Sequence, residues 1–215
     1  YMKRLFDILI LVVTFPLWLS VIILCYLINV LLEGFPGFYK SKRYVGNNKY
    51  IIVRKFRVMK KNIDKVLNRS SLEVENQVFL NLPESRDIYT NFGLKLEQFG
   101  ITEIPQFISV IKGDMSIVGA RPLPKDVIDA LVENFPDIAL NRFNSKCGLT
   151  GLPQLIGRDL ISDEDRLRLE VAYANWTIKS YNPIVDFKIL LYTVFIVLGL
   201  KKRLSTQQAL SLLKQ

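Results

Sequence analysis

The stretch ITEIPQFISVIKGDMSIVGARPLP, residues 101–124, gathers the side chains best suited to chemistry. Glu103 stands beside Thr102 and just ahead of Pro105, Gly113-Asp114 reads as a turn, and Arg121 is set between Ala120 and Pro122. A proline biases the residue before it toward extended geometry, so Pro122 holds Arg121 in a restrained backbone suited to a phosphate contact. A structural salt bridge is the alternative role. Arg158, directly after Gly157, is a similar cation. Thr102 offers only a hydroxyl, a weak nucleophile that needs an adjacent base. The chain has no histidine. That removes the commonest general base, Ser-His and Cys-His nucleophile pairs, and histidine-bearing zinc sites. What remains is the chemistry of carboxylates, hydroxyls, cations and a hard metal ion.

The 215 residues suffice for one domain with a sizeable core and an appended membrane element. Lysine and arginine number 29 against 20 aspartate and glutamate, a net charge of +9. Such an excess suits phosphates on lipids, nucleotides or nucleic acid, although a solvated basic surface has the same composition. Nucleic acid is disfavoured, because the basic residues are not interleaved with aromatics along one helix. Cys25 and Cys147 are far apart in the chain, which argues against a disulfide framework and for a reducing compartment.

These groups need elements to position them. Residues 8–32, ILILVVTFPLWLSVIILCYLINVLL, carry no charge and as a helix rise roughly 37 Å, enough for a bilayer core. Pro16 interrupts the run, which predicts a kink. Both flanks are basic, with Lys3 and Arg4 before and Lys40, Lys42 and Arg43 after, and the positive-inside rule places both in the cytoplasm. A helix that enters and leaves by one face satisfies both observations; a simple span is the alternative. Further on, two Tyr/Val/Ile-rich runs flank Asn47-Asn48 and predict a small β-hairpin. Residues 60–90 read as a short helix and a loop. Residues 94–111 have helical spacing, with Pro105 suited to a first turn. KDVIDALVENF (125–135) and EDRLRLEVAYANW (164–176) read as amphipathic helices, the second capped by Ser162. The apolar residues 184–203 read as an interfacial helix, with a second transmembrane helix as the alternative. The fold class is α+β, mostly helical. Residues 1–33 form a re-entrant membrane helix, 34–203 a cytoplasmic domain that includes the interfacial helix, and 204–215 a tail.

The order and spacing of several motifs resemble the bacterial sugar transferase family, monotopic enzymes that start glycan assembly on a polyprenyl phosphate. KRLFD, FYKSKRYVG, RKFRVM, EIPQFISVIKGDMSIVGARP, GLTGLPQLIGRD and VDFKILLYTV carry the likeness across residues 3–203. The resemblance implies transfer of a sugar-1-phosphate from a nucleotide diphosphate sugar to a polyprenyl phosphate, assisted by magnesium (Mg2+). It implies a protein on the cytoplasmic face of a bacterial inner membrane, in contact with membrane lipids and not with nucleic acid. Homo-oligomerisation stays open. Lys55 and Arg57 match cations that face donor phosphates, with Arg121 and Arg158 beside them. Glu103 matches the metal-holding glutamate, although a plain helix-terminal acid is a rival role.

Thr102 stands where the family's nucleophilic aspartate should be. Glu97 occupies a position that is usually basic. On a continuous helix, five residues would turn it about 140° from Thr102, a poor geometry for a substitute carboxylate. Cys147 and Pro153 replace a proline and a tryptophan of the Gly-rich loop, and Pro16 arrives about one turn early. Two functions follow. One is an active phosphoglycosyl transferase with a modified mechanism, such as direct attack by the lipid phosphate. The other is an inactive scaffold or regulator that binds lipid phosphate.

Overall fold

The structure, a computed structural model, describes residues 1–61, 88–157 and 160–214. The expected helix and loop of residues 60–90 fall largely outside them.

The N-terminal apolar run forms two helices, α1 (Met2–Val13) and α2 (Phe15–Glu33). The break falls at Thr14 (φ −91°, ψ 3°), two residues before the expected kink, and Pro16 sits in the first turn of α2. There its missing N–H costs nothing, because first-turn donors have no helical partner. The Trp18 indole donates to Leu11 O at 2.9 Å, and Thr14 Oγ1 adds a second bond, 2.6 Å, to Ile10 O, which already accepts from Thr14 N–H. Among the described residues α2 is the one helix long and apolar enough to cross a membrane, and 22% of its apolar window is buried in the protein. Most of that surface needs an apolar environment from elsewhere.

The hairpin forms as expected. Strands β1 (Phe38–Tyr44) and β2 (Tyr50–Phe56) pair antiparallel, with Tyr39 opposite Lys55 and Arg43 opposite Ile51. Its tip is closed by Lys49 N–H donating to Gly46 O at 2.8 Å, with Asn47 and Asn48 at φ 49° and 54°. Positive φ at both central residues is what a type I′ turn demands, and asparagine tolerates it. Phe56 of β2 packs with Cys25 of α2 and Leu96, so the hairpin lies against the apolar helix.

Residues 94–111 are not one helix. They divide into α3 (Asn91–Gln98), a 3-10 turn (Ile101–Gln106) and α4 (Phe107–Lys112). The helix ends at Phe99, and Gly100 adopts φ 64°. A left-handed residue stops helical propagation and re-aims the chain.

Strands β3 (Ser116–Val118) and β4 (Gly148–Thr150) pair in parallel, and the chain crosses itself tightly beside them. A Cβ on Gly148 would lie 2.1 Å from the Gly119 nitrogen, and one on Gly119 would lie 2.3 Å from Lys146 O. Three further helices are α5 (Lys125–Asn134), α6 (Leu152–Ile156) and α7 (Asp163–Ser180). Ser162 caps α7 as predicted, accepting from Asp165 N–H at 3.1 Å.

The next helix, α8, runs Pro183–Val197, shorter than the expected 184–203, and Gly199 follows it at φ 70°. Its Asp186 is fully buried rather than on a wet face. It accepts from Lys3 Nζ at 2.7 Å, Tyr173 Oη at 2.6 Å and Tyr181 Oη at 3.1 Å. Asp7 of α1 likewise accepts from Ser116 Oγ and Ile117 N–H, both at 3.0 Å. Buried charges with several donors thus fasten α1 to the body of the protein. The residues set apart as a tail fold back as α9 (Thr206–Ser211), closed by a Ser205–Gln208 capping box, and Ala209 and Leu212 join the main core. Both cysteines are free and buried.

The crossing gives a direct test. Gly148→Ala forces the two backbones apart and should destabilise the fold by about 1–3 kcal/mol. A lower thermal midpoint without loss of helical circular dichroism at low temperature is the expected reading.

Candidate active site

Three elements bring three charges together. β2 presents Lys55, the 3-10 turn presents Glu103, and the extended segment after β3 presents Arg121. Lys55 Nζ donates to Glu103 Oε1 at 2.6 Å, and Arg121 Nη1 donates to Glu103 Oε2 at 2.9 Å. Arg121 Nη2 also donates to Oε1, completing a fork on the carboxylate. The side chains are 24%, 21% and 18% exposed for Lys55, Glu103 and Arg121, so the cluster is largely shielded from solvent. Burial works to raise the Glu103 carboxyl, but the Arg121 and Lys55 charges outweigh it and hold it well below the usual carboxylate range. Burial and the like charge of Arg121 lower the Lys55 ammonium, partly offset by Glu103.

A cavity of about 50 Å³ opens beside the cluster, bordered by Arg43, Lys55, Glu103, Gln106 and Arg121, with Val53, Pro122 and Leu123 as apolar walls. Hairpin parity explains three of these, Arg43, Val53 and Lys55. Arg43 faces Ile51 across the pair, and residues 51, 53 and 55 share one side of β2. The sequence reading did not assign Arg43 or Gln106 to the site. The signal for Arg43 was the strand register; for Gln106 it was its place three residues after Glu103 on one turn.

The structure separates the other expected residues. Thr102 is 4% exposed and does not border the cavity. Arg57 does not border this cavity. It follows the end of β2 and donates Nη2 to Glu33 O at 2.7 Å and Gly34 O at 2.8 Å. The reason is the end of α2, whose open carbonyls and negative dipole end attract a cation. Arg158 lies outside the described residues. The negative charge of Glu97 acts on both Lys55 and Arg121, as a lesser influence than Glu103. Glu97 does not border the cavity.

Behind Arg121 sits a buried pair. Arg142, fully buried, donates Nη2 to Arg121 O at 2.8 Å and Nε to Glu170 Oε2 at 2.8 Å. The backbone under the Arg121 guanidinium is therefore held from both sides, by Pro122 and by Arg142.

Proteins usually hold magnesium through one or two carboxylates, with waters and substrate phosphates completing the octahedron. The cavity offers one carboxylate, Glu103, and both of its oxygens accept from cations. Among the described residues no group of three or more His, Cys, Asp or Glu could hold a metal. Glu103 would be the residue to hold magnesium, as one ligand beside a bound diphosphate, once its oxygens leave Lys55 and Arg121.

Comparison with known proteins gives this site its setting. The sequence matches the family model described as bacterial sugar transferase over residues 1–200. It is 34% identical over 171 residues to the galactosyl transferase CpsE of Streptococcus agalactiae, covering 77% of this chain and 35% of that protein. It is 33% identical over 198 residues to the uncharacterised sugar transferase EpsL of Bacillus subtilis, covering 90% of this chain and 85% of that protein. The undecaprenyl-phosphate galactose phosphotransferase of Salmonella typhimurium is 31% identical over 207 residues, 92% of this chain and 40% of that protein. The chain thus spans most of EpsL and well under half of the other two. With its motifs, hairpin and cation cluster in the matched region, the chain belongs to the bacterial sugar transferase family.

Proposed function

We propose that this protein transfers a sugar-1-phosphate from a nucleotide diphosphate sugar to a polyprenyl phosphate at the cytoplasmic face of a bacterial inner membrane, as the first step of membrane glycan assembly. The observation that carries the proposal is the Lys55–Glu103–Arg121 cluster in a cavity whose β2 and 3-10 turn both pack against the apolar helix α2. Such a position suits a reaction between a water-soluble diphosphate and a lipid-borne phosphate. The relatives named as phosphotransferases to a lipid carrier support it.

The reaction needs neutralisation of a diphosphate and alignment of an attacking oxygen. Lys55 and Arg121, with Arg43 at the cavity rim, supply the positive charge. A lipid phosphate oxygen forms the new bond to the donor's β-phosphorus. The bond from that phosphorus to the bridging oxygen breaks, and nucleoside monophosphate leaves. The product is a polyprenyl diphosphate sugar. Direct displacement is favoured over a covalent intermediate by the pocket itself: Thr102 is buried off the cavity, and Glu103, the bordering carboxylate, is held by two cations. Magnesium enters this scheme only as an ion carried in with the donor diphosphate.

Incubating the full chain with a nucleotide-sugar panel, Mg2+ and polyprenyl phosphate should release nucleoside monophosphate. No release with any donor would instead establish a phosphate-binding scaffold. Thr102→Ala should retain most of that activity. Arg121→Lys, which keeps the charge and loses the fork, should lower kcat/KM about tenfold or more, roughly 1.4 kcal/mol.

Both ends of the α1–α2 unit are proposed to lie on the cytoplasmic face, on the strength of the break at Thr14 and the basic flanks. Single cysteines placed beside Lys3 and Lys42 should then label from the same side of sealed vesicles. Opposite-side labelling would mean a span.

A further inference from the structure

Two buried polar side chains lie where the apolar helix α2 meets the hairpin, and neither belongs to the charged cluster. Asn29 is the one side-chain amide of α2 and is fully buried. Its Nδ2 donates to Gly37 O at 3.0 Å and to Arg57 O at 2.9 Å. Arg57, also buried, reaches back from the end of β2, its Nη2 donating to the Glu33 and Gly34 carbonyls that end α2. Its backbone N–H donates to Gly37 O at 3.0 Å, one residue beyond the paired strands. The two side chains thus bridge four backbone carbonyls: two at the helix end, one in the link of residues 34–37, and one at the base of the hairpin. The link runs close to the helix, since a Cβ on Gly37 would lie 2.6 Å from Tyr26 Cε2. Phe38 then packs on Tyr26 with ring centroids 4.7 Å apart.

We infer that Asn29 and Arg57 form a joint that sets the hairpin, and with it Lys55, at a fixed place relative to α2, and that they are positioning residues for a lipid-borne acceptor. Lys55 is two residues from Arg57, with Phe56 alone between them, so a displacement of the joint carries Lys55 with it. The charged cluster holds itself together through Glu103 and does not need the joint to form. What the joint adds is the relation between that cluster and α2, which among the described residues is the one helix long and apolar enough to cross a membrane. An acceptor dissolved in the bilayer meets the cluster only where that relation is kept. A donor arriving from water is indifferent to it. The chemistry of the pair agrees with a geometric role. Arg57 Nε and Nη1 make no hydrogen bond to any described residue, and a buried cation so incompletely paired is a poor source of stability. An amide within a membrane-seeking helix is likewise unfavourable in itself. The inference rests on the transferase reading for the reaction served, and not for the joint.

Arg57→Met, long and without donors, and Asn29→Leu, similar in volume and apolar, each open the joint. In vesicles holding the full chain, each should raise the KM for polyprenyl phosphate about tenfold or more and leave the KM for the nucleotide sugar unchanged. Arg57→Lys, which keeps a donor for the helix carbonyls, should recover most of that loss. The double variant should lose no more than the worse single one, because the same joint is opened once. A merely structural role gives a lower kcat from a smaller folded fraction, with both KM values unmoved, and that pattern would overturn the inference. An equal rise in both KM values would overturn it too. Asn29→Leu carries the test where Arg57→Met does not fold. A second measurement reads the joint without turnover. Spin labels on Leu31→Cys of α2 and Ile52→Cys of β2, both exposed, report the distance between helix and hairpin, and the native cysteines are buried. The distance distribution should be narrow in the otherwise unaltered chain, broader with Arg57→Met or Asn29→Leu, and narrow again with Arg57→Lys. An unchanged width in both opening variants would overturn the joint, whatever the kinetics. A chain that broadens in this way and shows no turnover with any donor would sink the transferase proposal and leave the joint standing.

Discussion

The bond of Glu103 to Lys55 and Arg121 is the constraint around which the rest of the structure is arranged. These residues lie 48 and 18 positions from Glu103 in sequence. Holding them within hydrogen-bond distance requires the hairpin, the 3-10 turn and the segment after β3 to meet at one place. Charges this poorly exposed to water are stable only when each finds its partner in good geometry. Much of the surrounding architecture serves that geometry. The type I′ turn fixes the register that puts Lys55 and Arg43 on one side. Gly100 turns the chain so that Glu103 faces β2. The Gly119–Gly148 crossing brings the Arg121 segment down beside the 3-10 turn, and Arg142 with Glu170 grips its carbonyl from behind.

The same cluster bears on the expectation, drawn from the family resemblance, of an aspartate where Thr102 stands. A carboxylate at position 102 would add negative charge beside Glu103 and disfavour ionisation of both groups. Thr102 itself is buried away from the cavity, and Glu103 is the acid that pairs directly with both cations. Glu97 belongs to this balance, since its charge acts on Lys55 and Arg121 from the end of α3.

Much of this was legible in the sequence. Glu103 and Arg121 stand out because short stretches rich in proline and glycine restrain their backbones, and the hairpin because Asn47-Asn48 suits a left-handed turn. What was not legible depended on tertiary events. Arg57 sits two residues from Lys55, so strand periodicity gives it the same side. β2 ends at Phe56, however, and the open carbonyls of α2 draw the guanidinium away. Residues 94–111 show helical spacing throughout, because a helix, a 3-10 turn and a second helix bury one face in common; the break is carried by Gly100 alone. Pro16 announces a discontinuity but not its position, which falls at Thr14, where the Trp18 indole takes the Leu11 carbonyl.

The central claim is that phosphoryl transfer here is a single displacement, with no group of the chain bonded to phosphorus. Rapid quenching with nucleotide sugar alone, followed by intact-protein mass spectrometry and nucleotide analysis, tests it most directly. A single displacement gives no added mass and no nucleoside monophosphate until polyprenyl phosphate is present. A stoichiometric burst of nucleoside monophosphate without the lipid, together with a phosphosugar mass on Thr102, Glu97 or any other residue, would contradict it.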